Sequence, residues 1–263
     1  MPAPYIIRVS STKGGVGKTT IAVNLGVILS LSGYKTLIVD CDAANPTVGF
    51  HLGMDQANIG YRQVVTGRAG LESSIAMHGP TGLRVLPGII GPYSFVPSEK
   101  QSQQFLRMLT ATKYNFILLD TSPGFAFNEP FSYYTEALLV TIPEASSCTS
   151  AMRLAHAYTE QKLKHNLVIN RVKNKKYEFS VEEIEDMYEN RVIGVLPEDE
   201  IVPLSVSEHI PAYLINRRDS FSRSIRDLSR RYSSRLETVD VDGGARSGTG
   251  GIMAFIRRLL GLK

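Results

Sequence analysis

The residues best suited to chemistry stand together near the start of the chain, in the run Ser11-Thr12-Lys13-Gly14-Gly15-Val16-Gly17-Lys18-Thr19-Thr20. Glycines let a backbone fold tightly with its N–H groups pointing inward, where a polyphosphate can sit. Lys18 is spaced to reach β- and γ-phosphates, and the Thr19 hydroxyl to hold Mg²⁺. A following helix adds its positive dipole end. Both flanks that such a loop needs are present. Tyr5 to Ser10 reads as an apolar strand, and Thr19 to Leu31 reads as a helix. Residues Gly14, Gly15, Val16, Gly17, Lys18, Thr19 and Thr20 are therefore nucleotide-binding candidates. The strict pattern G-x-x-x-x-G-K-[ST] has glycine where this chain has Thr12, and a second lysine, Lys13, stands beside it.

Two acidic positions end apolar runs, where ligands bind in open α/β sheets. One lies in Leu37-Ile38-Val39-Asp40-Cys41-Asp42, the other in Phe116-Ile117-Leu118-Leu119-Asp120. A carboxylate after an apolar strand beside a phosphate loop suits Mg²⁺, directly or through water. Thr19, Asp42 and Asp120 are thus the metal candidates. A lone strand-ending Asp more often caps a turn; two of them beside a phosphate loop favour function.

The elements that must position these groups are legible as alternating segments. Strand-length apolar runs occur at Ile6 to Val9, Thr36 to Val39, Leu83 to Leu86, Phe116 to Leu119, Ala137 to Ile142, Leu167 to Ile169 and Val192 to Leu196. They are near-continuous rather than alternating, as strands are when helices cover both faces. Helical segments fall between most of them: Thr19 to Leu31, Lys100 to Leu109, Thr149 to Lys164, Val181 to Tyr188 and Asp219 to Tyr232. Gly33 stands where the first helix would end. The pattern predicts a single α/β domain with a mostly parallel, doubly wound sheet and helices on both faces, over residues 1–237.

A chain of 263 residues that is 43% hydrophobic and 21% charged can bury a full core. Its two cysteines, Cys41 and Cys148, form no metal-ligand pattern, so a reduced, cytoplasmic setting is expected. The N-terminus enters a strand without a basic stretch and apolar core, so no secretory leader is expected. No apolar run has the length of a spanning helix.

Beyond residue 237 the composition changes. Residues 238–251, T-V-D-V-D-G-G-A-R-S-G-T-G-G, read as a flexible linker. On a helix, Ile252, Phe255, Ile256, Leu259 and Leu260 form one apolar stripe, with Arg257 and Arg258 beside it. That design suits an anionic lipid surface, so residues 252–263 are read as an amphipathic membrane-targeting helix. Docking of the same stripe on the protein's own core is the plainer alternative, and the Gly-rich linker argues against it. A rival feature lies just before. Arg217, Arg218, Arg223, Arg226, Arg230, Arg231 and Arg235 surround the stripe Phe221, Ile225, Leu228 and Tyr232. A basic helix face is usually just solvated, but it can bind nucleic-acid backbone.

The run Lys13-Gly14-Gly15-Val16-Gly17-Lys18-Thr19 resembles the deviant Walker A motif of the MinD/ParA family of ATPases, over roughly residues 5 to 235. The resemblance implies Mg²⁺-dependent ATP hydrolysis and an ATP-dependent homodimer in which Lys13 touches the partner's nucleotide. It makes Lys13, Lys18 and Asp42 the catalytic residues, with Asp42 handling the attacking water, and Asp120 the Walker B aspartate. It sets Asn170-Arg171 and Pro197-Glu198-Asp199 beside the adenine; an Asn amide can both donate to and accept from a purine edge. Asp120-Thr121-Ser122-Pro123-Gly124 departs from the D-x-P-A-G more usual in MinD proteins, as Thr12 does from their glycine. MinD proteins end in a short basic amphipathic helix after a linker. The expected role is therefore positioning of cell-division or surface-appendage machinery from the inner face of the cell membrane, through an unidentified protein partner. DNA segregation through the basic 217–235 helix, as in ParA proteins, is the alternative. The same fold hosts metabolic enzymes such as nitrogenase iron protein and dethiobiotin synthetase, but the cluster cysteines of the former are missing.

Overall fold

The computed structural model describes residues 3–54, 59–89, 95–124, 131–188 and 192–237. Eight strands form one sheet: β1 (Tyr5–Ser10), β2 (Thr36–Asp40), β3 (Ala76–Met77), β4 (Arg84–Leu86), β5 (Phe116–Asp120), β6 (Glu136–Thr141), β7 (His165–Val172) and β8 (Val192–Pro197). Their spatial order is β3-β4-β2-β5-β1-β6-β7-β8. Every pairing is parallel except the short β3–β4 edge. The helices are α1 (Lys18–Leu31), α2 (Val48–His51), α3 (Tyr61–Val65), α4 (Glu99–Thr110), α5 (Ala145–Glu160), α6 (Val181–Met187), α7 (Ile201–Ser207), α8 (Ala212–Ile215) and α9 (Ser220–Glu237).

Burial explains the continuous apolar runs. Every residue of β2, β5 and β6 is buried, because helices cover both faces of the sheet. One core packs α1, α2, α8 and α9 against one face. The other packs α3, α4, α5 and α6 against the opposite face. Helix α1 lies between the sheet and α9, so Lys18 and the run Thr20 to Leu29 are all buried. Its end is set by Gly33, whose φ of 93° is left-handed. Helix α9 is amphipathic, with Phe221, Ile225, Leu228 and Tyr232 buried at helical spacing.

The doubly wound architecture expected from the sequence is the one observed. Differences lie at short or weakly signalled elements. Strand β3 has two residues. Helices α2, α3, α7 and α8 have four to seven residues each. None is long enough to show a period. Helix α5 starts at Ala145 and stops at Glu160 rather than spanning 149–164, because the chain then turns through left-handed Lys162 into β7. Helix α9 continues past Tyr232 to Glu237. The predicted linker, 238–251, and the amphipathic segment, 252–263, lie outside the described residues. No helix among the described residues is long and apolar enough to cross a membrane.

Candidate active site

The strand order changes direction about β1: the chain leaves it for β2 on one side and later passes from β5 to β6 on the other. Ligands bind at such a switch point, outside the carboxyl ends of the strands. The Ser11–Gly17 loop occupies that position, between β1 and α1. Gly15 and Gly17 take left-handed φ values of 77° and 97°, which only glycine adopts without strain. A Cβ on Gly17 would lie 2.2 Å from Asn170 Nδ2, so this position also needs the smallest residue for space. No side chain caps α1, and no acid stands in its first turn. The helix start is left open to an anion.

The two lysines of the loop go to different places. Lys18 is buried and its Nζ donates to Ser11 Oγ at 3.0 Å. Burial pulls its pKa below that of an ordinary lysine, while Asp120 and Asp42 act against that shift. Lys13 instead reaches Ser146 Oγ in the first turn of α5, at the rim. It is not turned into the cradle.

Strand register brings the acids to one level. Asp40 pairs with Asp120 across β2 and β5, and Val9 of β1 pairs with Asp120 on its other side. Thr19 Oγ1 donates to Asp120 Oδ2 at 2.6 Å. Among the described residues, the buried Asp120 Oδ1 has no hydrogen-bond partner. Burial pushes the Asp120 carboxyl up to about 6, against the pull of Thr19 and Lys18. Asp42 Oδ1 accepts from Ser122 Oγ at 2.9 Å and from the N–H groups of Ala44 and Asn45 at 3.2 and 3.1 Å. Three donors on one oxygen fix the orientation of this carboxylate.

Asp40, Thr47, Ser122 and Gly88 complete the site; of these, the sequence marks only Asp40, as the first acid of the strand-ending D-x-D segment. Asp40 Oδ2 accepts from Val48 N at the start of α2, at 3.0 Å, and Oδ1 from Asp42 N at 3.2 Å. It thereby holds both ends of the loop that carries Asp42. Burial first, then the neighbouring Asp120, raises its pKa to about 8. The Thr47 and Thr19 hydroxyls stand 3.5 Å apart. Gly88 packs so closely that a Cβ there would come within 2.9 Å of Asp40 Cγ. The D-x-D spacing pointed to this loop. Nothing local in the sequence marks Thr47, Ser122 or Gly88, which act through tertiary contact.

The ends of β7 and β8 border the loop on its other side. Asn170 Nδ2 donates to Val16 O at 2.8 Å and clamps the loop. Arg171, with a left-handed φ of 59°, donates to Gly15 O at 3.3 Å. It also holds Glu198 through two bonds, Nε to Oε2 at 2.8 Å and a second guanidinium nitrogen to Oε1 at 3.1 Å. Pro197 pairs with Val172 in the sheet. Asp199 faces the helices: its carboxylate accepts from Ile201 N at 3.1 Å and from the Ser220 hydroxyl.

These residues fit a Mg²⁺–nucleotide. A buried carboxylate oxygen without a partner beside a threonine hydroxyl is an oxygen donor set suited to Mg²⁺. The open helix start and Lys18 suit phosphates. The description "CobQ/CobB/MinD/ParA nucleotide binding domain" matches residues 7–212. The chain belongs to this family. Its members are nucleotide-binding ATPases. A putative septum site-determining protein MinD from Guillardia theta is 29% identical over 218 residues, covering 80% of this chain and 81% of that protein. MinD from Pyrococcus horikoshii OT3, solved with Mg-ADP, superposes with a TM-score of 0.83 at 28% identity, covering 91% of this chain and 100% of that one. MinD in a MinC:MinD complex from Aquifex aeolicus gives 0.75 at 26% identity, covering 92% and 99%.

The basic 217–235 segment, the alternative nucleic-acid surface expected from the sequence, has its arginines in mixed surroundings. On α9 and the turn before it, Arg217 stacks on Tyr213 with 5.3 Å to the ring centroid, Arg230 pairs with Asp227 at 3.0 Å, and Arg235 with Glu136 at 2.5 Å. Arg218, Arg223 and Arg231 are exposed. No cluster of three or more metal-ligating side chains, Cys41 and Cys148 included, occurs among the described residues.

Proposed function

We propose that this protein is a MinD-like ATPase that pairs on ATP, binds anionic membrane through residues 252–263, and positions cell-division or surface-appendage machinery from the inner face of the cell membrane. The observation that carries the reading is the parting of the two lysines. Lys18 is held inside the cradle, whereas Lys13 ends at its rim on α5, where a second protomer's nucleotide can be reached.

In this reading the glycine backbone and the start of α1 receive the phosphates, and Lys18 bridges β and γ. Thr19 and Asp120 would hold Mg²⁺, which would supply charge neutralisation for phosphoryl transfer. Asp42, oriented by Ser122 and two backbone donors, aligns the water that attacks the γ-phosphorus. Asn170, Arg171 and the Pro197-Glu198-Asp199 turn form the base side. Lys13 completes the partner's site, so the dimer forms on ATP and parts after hydrolysis. The MinD of the Aquifex MinC:MinD complex has a protein partner; a partner here binds the ATP-bound pair.

Pairing can control membrane binding because one anchor is weak. A buried large apolar side chain gives about 1.5–3 kcal/mol, while ordering the helix costs about 1–2 kcal/mol per residue. Two anchors on one dimer gain an effective-concentration factor on the order of 10²–10⁴. Sedimentation of the full chain with phosphatidylglycerol vesicles tests this. Binding should require ATP and be lost in Phe255→Glu; binding that ignores nucleotide, or survives that substitution, removes the proposal.

The second reading is DNA segregation, favoured by the exposure of Arg218, Arg223 and Arg231. It predicts ATP-dependent, salt-sensitive retention of duplex DNA by the Phe255→Glu variant.

A further inference from the structure

A groove at the β3 edge of the sheet lies outside the ATPase cycle. Its volume is about 620 Å³, and Leu52, Met54, Met77, Ile210 and Leu214 line it, with Glu208 in the wall. No lysine or arginine lines it among the described residues. Met77 is 51% exposed, and Phe50, whose ring centroid stands 4.0 Å from that of His209 on the same wall, is 52% exposed. Apolar side chains gathered in an open concavity mark a surface that something covers. Two methionines suit it to an apolar helix face, because their unbranched side chains adapt to the shape they meet.

The chain leaves the domain on the same face of the sheet. Helix α8, which supplies Leu214, and helix α9 both pack with α1 on that face. Near the end of α9, Arg235 Nη1 lies 3.3 Å from Tyr5 Oη at the start of β1. Beside Tyr5, a row of paired residues runs Ile6, Ile117, Leu37, Arg84, Met77 across β1, β5, β2, β4 and β3. Four strand spacings make that row about 19 Å long. The segment between Glu237 and Ile252 has 14 residues, a root-mean-square reach of about 20 Å when Gly-rich. A tethered segment has its highest local concentration at a site whose distance matches that reach. The tether is therefore ill suited to docking at its own root and well matched to the groove.

We propose that this groove holds residues 252–263 of the same chain while the protein is off the membrane. The inference rests on the reading of that segment as an amphipathic anchor. Its 12 residues span about 18 Å as a helix. The stripe Ile252, Phe255, Ile256, Leu259 and Leu260 supplies the apolar cover, and Arg257 and Arg258 carry charge opposite to that of Glu208. Docking keeps the stripe and the groove out of water together. A bilayer then competes with the groove for the same side chains, so occupancy of the groove sets the threshold that lipid must overcome.

The chain has no tryptophan, so Phe255→Trp in the full chain gives a single reporter on the stripe. Without lipid or nucleotide, its emission should lie to the blue of that of the urea-unfolded protein, with acrylamide quenching several-fold weaker. Adding Met77→Asp, at a half-exposed site on a two-residue edge strand, should shift the emission to the red and restore quenching. Glu208→Lys should act in the same direction and less strongly; Glu208 is exposed, so this variant probes the groove without touching the core. If the reporter is as accessible in the folded protein as in urea, the groove holds no tail and the inference fails. Phosphatidylglycerol vesicles with ATP then decide the anchor reading separately: it stands if they shift the emission to the blue and falls if they do not. If the reporter is shielded but indifferent to both substitutions, the segment docks elsewhere and the inference is overturned. If shielding rises with protein concentration, the groove is filled by a second copy and the inference is overturned as well.

Discussion

Each end of the sheet buries a carboxylate, and the two are treated in opposite ways. At the amino ends of the strands, Glu136 is fully buried and accepts from Tyr5 Oη at 2.7 Å, Tyr232 Oη at 2.8 Å, Asn166 Nδ2 at 3.1 Å and Arg235 NH1 at 2.5 Å. At the carboxyl ends, Asp120 is as buried, but one of its oxygens finds no partner among the described residues. A satisfied buried charge joins elements; here it ties α9 to β1 and β6. An unsatisfied one costs free energy unless something else is to occupy the site. The contrast separates the stapled end of the molecule from its working end.

Removing the staple should have the largest effect on folding. Glu136→Ala takes the acceptor from the Arg235 guanidinium, the buried Tyr232 phenol and the half-buried Tyr5 phenol, and should cost about 3–5 kcal/mol in urea unfolding. Turnover per folded molecule should not change. If turnover falls in step with stability, the two ends are not separable. The converse substitution, Lys18→Ala, should lower ATP turnover by about 10²–10³-fold. It removes a buried cation that pays a desolvation cost, so its unfolding free energy should not fall with its activity. A large loss of stability would make Lys18 part of the framework instead.

A smaller effect concerns pH. Asp40 has its pKa raised to about 8 by burial and by Asp120, so between its unfolded value and about 8 the native state holds a proton that the unfolded state has released. The stability this proton supplies is lost as pH rises through that window. His51 and His78 act in the other direction. Burial lowers both to about 4, so their contribution is complete above pH 6.5 and is lost on acidification. Between pH 6.5 and 8 the nucleotide-free protein should therefore melt lower as pH rises, and Asp40→Asn should flatten that slope. An unchanged slope in the variant would assign it to another group.

The sequence made the working end far more legible than the stapled one, for a physical reason. A phosphate loop is local: Lys13, the glycines, Lys18 and Thr19 are neighbours in the chain, and strand-ending Asp120 and Asp42, two residues past the end of β2, follow from the βα pattern. The buried cluster joins Tyr5, Glu136, Asn166, Tyr232 and Arg235 from four distant elements. No periodicity announces it; Glu136 reads as an ordinary charged residue at a strand start. By sequence Arg235 reads as one more surface cation, but its contact with Glu136 ties it to the core. Within the site the same rule holds. Asn170 reads as a base contact, but only the fold shows its amide holding Val16 O and closing over Gly17.

The most direct test of the claim that Asp120 is left unsatisfied for a metal is calorimetric titration of ADP into wild type and Asp120→Asn, with and without Mg²⁺. Mg²⁺ should tighten ADP binding to the wild type and have no effect on the variant, which should unfold no more easily than the wild type when free of nucleotide. Equal Mg²⁺ dependence in the two proteins, with a clearly destabilised variant, would contradict the account and make Asp120 a structural residue like Glu136.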